Sequence, residues 1–262
     1  MQMEICPDIN KIRMMKDNFS GHAAAYARFR PAYPPELIAF LRDLATHPGT
    51  LWDCGTGNGQ LAAALAPFFG RVLATDISEN QLKNALQLPN ISYSKQPAEN
   101  TDLEAQSADM ITVAQAIHWF DFERFYTEVR RVAKPGALLV VAGYGLIRIT
   151  PQLNAVIDEF YTGTVGPFWD PERHYIDESY ETIPFPFEEI KTPEFRMHFR
   201  WTLGQLLGYL DTWSAVQHYK RANEADPLLL VREPLQAAWG DMEYLDVEFP
   251  VFVRVGRVKS EE

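Results

Sequence analysis

One stretch constrains this chain more than any other: Leu51-Trp52-Asp53-Cys54-Gly55-Thr56-Gly57-Asn58-Gly59. Residues 49–53 form a short apolar run that ends on an acid, the pattern of a buried parallel strand. Gly55 and Gly57 permit backbone angles that a Cβ forbids and let main chain come close to a ligand. Gly59 then lets the next helix pack tightly on the strand. Leu61, Leu65, Phe68 and Phe69 fall at i, i+4, i+7 and i+8 of that helix, one apolar stripe, and Gly70 supplies a stop. A second apolar run, Val72-Leu73-Ala74-Thr75, ends on Asp76. An acid about 20 residues past a glycine turn can accept two charge-assisted hydrogen bonds from a ribose diol. The alternative is that Asp76 only N-caps a helix starting near Ser78. Strand, tight turn, helix, strand and acid together make the layout of a nucleotide-type cofactor site in a doubly wound α/β sheet, where ligands sit at the carboxyl ends of the strands.

The rest of the chain extends the alternation. Residues 91–95 and 108–113 read as a third and a fourth strand. Phe122, Phe125, Tyr126, Val129 and Val132 make a helical stripe with Asp121 as its N-cap, and Lys134-Pro135-Gly136 closes it. Residues 137–142 are a strongly apolar fifth strand, so a parallel sheet is expected. From Gly145 the character changes. Residues 150–160, 203–219 and 227–239 look helical, and 163–188 are rich in proline and aromatics without a regular pattern. Residues 191–201 and 247–258 alternate as strands do.

Composition excludes several functions. The 262 residues, 47% of them hydrophobic, suit one large domain. A net charge of −11 without a basic stripe argues against nucleic acid and against an anionic membrane surface. Cys6 and Cys54 match no metal or disulfide framework, and Cys54 reads as a small buried thiol. No stretch has the form of a signal peptide or a membrane span. A cytoplasmic protein, monomer or homodimer, is expected.

The glycine spacing decides between cofactors. A pyrophosphate fingerprint needs a third glycine three residues after the second, and that position is Gln60. An acid two residues before three alternating glycines resembles instead the first motif of the class I S-adenosylmethionine (SAM)-dependent methyltransferases. The resemblance implies a seven-stranded, mostly parallel, Rossmann-like α/β sheet closed by an antiparallel last strand. It implies one domain over 1–262: a SAM-binding core of about 36–145, an N-terminal cover of 1–35, and lid insertions of about 146–188 and 203–240. The turn of Gly55, Thr56, Gly57 and Gly59 would pack on the methionine part of SAM, and Asp53 would hold its amino group directly or through water. Asp76 would take the ribose, and Ile77 beside it would also contact the cofactor. The loop Gln96-Pro97-Ala98-Glu99 would border the adenine, with the Ala98 backbone at its edge and Glu99 on the adenine amine or on the loop backbone.

Two further motifs narrow the likeness. Gln115-Ala116-Ile117-His118-Trp119-Phe120 resembles the type-11 methyltransferase group, and within it small-molecule enzymes similar to the trans-aconitate methyltransferases. This implies that Gln115 and Ala116 line the SAM channel and that His118 faces the transferred methyl, as general base or as hydrogen-bond partner of an acyl oxygen. The other reading of His118 is a cap or core histidine. Tyr26-Ala27-Arg28-Phe29-Arg30-Pro31-Ala32-Tyr33-Pro34 resembles a segment of the same group that folds over SAM, with Tyr26 and Arg30 near the methionine carboxylate. A surface salt bridge is the alternative for Arg30.

The implied reaction is in-line transfer of the SAM methyl to a small-molecule acceptor, a carboxylic acid among the candidates, leaving S-adenosylhomocysteine. Quinone, lipid and protein acceptors, and a non-catalytic SAM-binding protein, are the rivals. After the fourth strand there is no Asn/Asp-Pro-Pro-Tyr run for amino methylation of bases, and no cluster has metal-ligand spacing. Arg148, Arg173, His174, Lys220 and Arg221 are cations in the lid that an acidic acceptor could use.

Overall fold

The computed structural model describes residues 31–45 and 49–259. Tyr26, Arg30 and Cys6 lie outside them. The frame is a mixed sheet in the order β3 (Ile91–Lys95), β2 (Arg71–Asp76), β1 (Thr50–Cys54), β4 (Ala108–Ala114), β5 (Ala133–Tyr144), β8 (Leu245–Arg257) and β6 (Glu188–Ile190), with β7 (Phe195–Trp201) also paired to β8. β1 (Thr50–Cys54) is buried along its whole length, which suits a strand with no polar face. It lies between β2 (Arg71–Asp76) and β4 (Ala108–Ala114), so that Asp53 faces Ala74 on one side and Thr112 on the other. β3 (Ile91–Lys95) extends the parallel half beyond β2, and β5 (Ala133–Tyr144) extends it beyond β4. The strand order reverses between β1 and β4, the switch point at which open α/β sheets bind ligands.

β8 (Leu245–Arg257) runs antiparallel to β5, as expected of the last strand. Its other edge carries β6 (Glu188–Ile190) and β7 (Phe195–Trp201), which pair with opposite ends of β8. Among the described residues the sheet thus has eight strands where seven were expected, because one edge strand is broken in two. The break contains Pro193, which has no N–H to give to a ladder. Thr192 Oγ1 bridges the gap by donating to the carbonyl of Val253 at 3.2 Å.

The helices follow their apolar faces. α1 (Pro35–Leu44) starts on a proline and buries Leu37 and Leu41. α2 (Gln60–Leu65) is shorter than the stripe suggested. Pro67 cannot donate to the carbonyl four residues back, so the chain tightens into a 3₁₀ turn over Ala66–Phe68, yet Phe69 is buried all the same. α3 (Glu79–Lys83) is a brief turn capped by Ser78. α4 (Phe122–Val132) has the expected cap, Asp121, accepting from the N–H of Arg124 at 3.2 Å, and it buries Phe125, Tyr126, Val129 and Val132.

Two inserts interrupt the second half of the sheet. Between β5 and β6, α5 (Pro151–Glu159) runs into a π-type turn, two 3₁₀ turns and a helical turn over His174–Asp177. Between β7 and β8 lie α6 (Leu203–Asp211), α7 (Ser214–Asn223) and α8 (Leu228–Trp239). The sequence pattern joined α6 and α7 into one helix. They part at Trp213, whose extended backbone (φ −68°, ψ 133°) sends its indole among Phe160, Tyr161, Trp169 and Tyr209, with ring centroids 6.1, 5.6, 5.5 and 5.9 Å away. The lid aromatics therefore build a core of their own. Among the described residues no helix is long and apolar enough to cross a membrane.

Candidate active site

A cavity opens at the carboxyl ends of β1, β2, β3, β4 and β5. Its wall includes Gly55, Asp76, Ala98, Ala116, Trp119 and Tyr144. The glycine turn after β1 forms the floor. Gly55, Gly57 and Gly59 all have positive φ, at 65°, 57° and 78°. A Cβ on Gly55 would lie 2.7 Å from that of Ala116 and 3.1 Å from the Phe120 ring, whereas one on Gly57 would meet nothing within 4 Å. The turn thus packs tightly at one glycine and leaves open space at the next. Gly57→Ala is expected to cost about 1 kcal/mol of stability from the left-handed backbone alone, and Gly55→Ala about 2 kcal/mol because the clash adds to it. Denaturant unfolding of the two variants checks the order.

Asp53 braces this turn from behind. It is 1% exposed, and its two oxygens accept from Thr56 Oγ1 at 2.5 Å and from Thr112 Oγ1 at 2.6 Å. Burial pushes its pKa up to about 6, although the hydrogen bonds from Thr112, Thr56 and the backbone of Ala62 pull the other way. Asp53 does not line the cavity, and neither does Gly59. Cys54 is buried in the turn, with its thiol pKa raised by desolvation, in keeping with a packing role.

Asp76 does line the cavity. Its Oδ2 accepts from the N–H of Gly57 and its Oδ1 from the N–H of Ser78, both at 2.8 Å. The carboxylate therefore ties the glycine turn to the head of α3. The cap of α3 is Ser78, whose Oγ accepts from the N–H of Gln81 at 3.4 Å, so Asp76 itself is not the N-cap.

Ile77, Ala98 and Glu99 also line the wall. Glu99 Oε1 accepts from the N–H of Asp121 at 3.0 Å, which ties its loop to the head of α4. Gln115 lines the wall with left-handed backbone, φ 54°. Its side chain grips β5 twice: Oε1 accepts from the N–H of Tyr144 at 2.9 Å, and Nε2 donates to the carbonyl of Tyr144 at 3.3 Å. This clamp, and the Tyr144 and Tyr33 rings in the wall, were not anticipated from the sequence.

His118 lies elsewhere. It sits in the 3₁₀ turn Ile117–Trp119, is 4% exposed and does not line the cavity. Its Nδ1 is 2.8 Å from Tyr180 Oη. Tyr180 and Ser179 have φ of 62° and 53°, backbone that a bulky residue adopts only under constraint. Arg254 supplies part of that constraint by donating to the carbonyls of Tyr180 and Ile183 at 3.0 and 2.8 Å.

The lid cations are mostly engaged. Arg148 pairs with Asp158 and Lys220 with Asp211, both at 2.7 Å. Arg173 donates to Tyr161 Oη at 2.7 Å. His174 Nδ1 is 2.6 Å from the carbonyl of Pro171, and Arg221 is exposed. Among the described residues no group of His, Cys, Asp and Glu could hold a metal ion.

Relatives settle the family. A protein of Dictyostelium discoideum designated a methyltransferase is 34% identical over 251 residues, covering 90% of this chain and 93% of its own. The chain belongs to the class I SAM-dependent methyltransferases. Residues 52–141 match the methyltransferase domain family, and an uncharacterised methyltransferase of Mycobacterium tuberculosis is 32% identical over 191 residues, 72% of each chain. The methyltransferase also superimposes on a solved structure from Anaeromyxobacter dehalogenans, described as a type II methyltransferase. That match has a TM-score of 0.81 and 44% identity, and it covers 89% of this chain and 100% of the other. The methyl donor is SAM, and the cavity suits it. The open space at Gly57 leaves room against main chain, and the Asp76 carboxylate stands in the wall.

Proposed function

We propose that this methyltransferase acts on a small-molecule acceptor in the cytoplasm, with a carboxylic acid as the first candidate. When bound, SAM supplies an electrophilic methyl on a sulfonium leaving group. The chain's task is then to bind, orient and exclude water, and positioning alone can contribute up to roughly 7–11 kcal/mol. In the proposed site Asp76 and Ile77 receive the ribose, and Ala98 and Glu99 border the adenine. Gly55, Thr56, Gly57, Gln115 and Ala116 flank the methionine part, with Asp53 behind them. Tyr26 and Arg30 belong to the proposed cover.

One observation carries the choice of acceptor. The described wall contains no histidine, lysine or cysteine, and His118 is turned toward Tyr180. A carboxylate is already nucleophilic at neutral pH and needs no base, so its oxygen can take the methyl as the carbon–sulfur pair returns to sulfur. An amine, a phenol or an acidic carbon would call for a base. The lid supports a small acceptor, since its Pro171–Arg173 turn packs on the Ile117–Trp119 turn at the cavity wall.

The test is methyl-label transfer from SAM into a fractionated cell extract. Small-molecule label that mild alkali releases as methanol is expected. Alkali-stable label, or label confined to protein or quinone, would overturn the acceptor class. His118 enters as a positioning residue that joins wall to lid. His118→Ala is expected to lower turnover several-fold more than SAM affinity while leaving the shape of the pH–rate profile unchanged. Loss of an inflection near neutral pH in that variant would make His118 a base after all.

A further inference from the structure

A second cavity lies at the other end of the sheet, where β4 and β5 begin and β8 ends. Its wall comes from the loop before β4 (Gln106), the last turns of α4 (Arg130, Arg131), the start of β5 (Lys134) and the chain just past β8 (Lys259). It encloses about 460 Å³, within the roughly 300–1,000 Å³ of small-molecule sites. Four cations stand in this wall, and among its described residues there is no carboxylate. The chain as a whole carries a net charge of −11.

Two ordinary uses for these cations leave a surplus. Basic residues in a last helical turn offset its exposed carbonyls. Here those carbonyls are already taken: Val129 accepts from the N–H of Ala133, Arg131 from Gln106 at 2.9 Å and Val132 from Ser107 at 2.8 Å. The second use is ion pairing. Arg131 pairs with Glu128 and Lys134 with Asp109, both at 2.7 Å, and Lys259 pairs with Glu188 at 3.2 Å. The side chains of Glu128 and Asp109 are only 6% and 15% exposed, so these acids back their cations without entering the wall. Arg130 pairs with no carboxylate among the described residues. Its guanidinium carbon lies 5.3 Å from the centre of the Phe187 ring, and its Nη1 reaches the carbonyl of Tyr126 at 3.4 Å. A guanidinium has five N–H donors, so most of these meet no acceptor from the described chain.

We propose that this cavity binds a phosphate-bearing small molecule, with the Arg130 fork on two phosphate oxygens and Lys134 and Lys259 adding charge. A lone carboxylate would occupy the fork and leave both ammonium groups unused, whereas a phosphate or pyrophosphate carries charge and oxygens for all three. The site lies away from the cofactor cavity, at the amino ends of the strands, so the two ligands bind without competition.

The experiment is calorimetric titration with sodium pyrophosphate and with inorganic phosphate, ionic strength being held constant with sodium chloride. The proteins are wild type, Arg130→Gln, Lys259→Gln and Arg221→Gln, each with and without saturating S-adenosylhomocysteine. Wild type is expected to bind pyrophosphate saturably at one site, unaffected by S-adenosylhomocysteine. Arg130→Gln is expected to weaken it about tenfold, and Lys259→Gln, altered at an exposed side chain that leaves folding intact, about threefold. Arg221→Gln removes the same charge from an exposed position in α7 and should bind like wild type. No saturable binding, unchanged affinity in Arg130→Gln and Lys259→Gln, or an equal loss in Arg221→Gln would overturn the proposal. Displacement of pyrophosphate by S-adenosylhomocysteine would overturn it too, by placing the anion in the cofactor cavity.

Discussion

Asp76→Ala is expected to lower affinity for SAM and S-adenosylhomocysteine by about a hundredfold or more. Hydrogen bonds to a charged group contribute roughly 1.5–3 kcal/mol each, and every 1.4 kcal/mol is a factor of ten in affinity. Two ribose hydroxyls on one carboxylate therefore amount to at least about 3 kcal/mol. The same carboxylate holds the N–H groups of Gly57 and Ser78 in the ligand-free protein. Removing it also frees the glycine turn, and some of the loss will come from a floor that is no longer preorganised. Asp76→Asn separates the two contributions only partly, because one face of its amide would point N–H groups at N–H groups. It should fall close to the alanine variant. Calorimetry with S-adenosylhomocysteine measures both. An alanine variant that binds like wild type would return Asp76 to a purely structural role and sink the proposed ribose site.

Asp76 was legible in the sequence because its surroundings are local. A buried strand, a turn of alternating glycines and a second strand lie within one short stretch, and parallel pairing of β1 with β2 follows from the connection between them. The same holds for Asp121, which caps a helix three residues from its partner. Half of the Asp53 brace was within reach in the same way. Thr56 lies three residues on, but Thr112 comes from β4, 59 residues away. No periodicity announces a contact of that range.

Residues defined by non-local contacts escaped the sequence reading. Gln115 was placed on the channel, but its grip on the backbone of Tyr144 depends on how β4 and β5 end side by side. His118 meets a tyrosine 62 residues away, in an insert whose short turns leave no periodic trace. Trp213 ends a helix that its own sequence would continue, because four lid aromatics make a better environment for the indole than one more helical turn. The broken edge strand is an exception of another kind. Pro193 lies inside the alternating run 191–201 and has no N–H to give to a ladder, so it cuts short the strand expected there.

The ligand-free enzyme should lose stability to Asp53 as pH rises from about 4 to about 6. An ionised carboxylate wants water, and this one has two hydroxyls and a backbone N–H instead, so burial raises its pKa from the ordinary 3.8 to about 6. The folded state then holds the proton more tightly than the unfolded state does. The resulting stabilisation is complete below 3.8 and is lost as pH climbs through 6. A shift of that size corresponds to about 3 kcal/mol. Other carboxylates act with the opposite sign. Glu128, despite partial burial, is held below its ordinary value by Arg131 and Thr101, and it adds stability as pH rises. The total curve will therefore not show Asp53 directly. The difference between wild type and Asp53→Asn will, because asparagine keeps the shape of the brace and cannot ionise. Urea unfolding of both proteins from pH 4 to pH 7 should give a wild-type-minus-variant difference that drops by about 3 kcal/mol and flattens above pH 6. A flat difference would mean that the two threonine hydroxyls fully compensate the buried charge. A cationic ligand reverses the sign, because positive charge beside the turn favours the ionised acid. If the methionine amino group rests there, stabilisation by SAM should grow between pH 5 and pH 7 in wild type and stay level in Asp53→Asn.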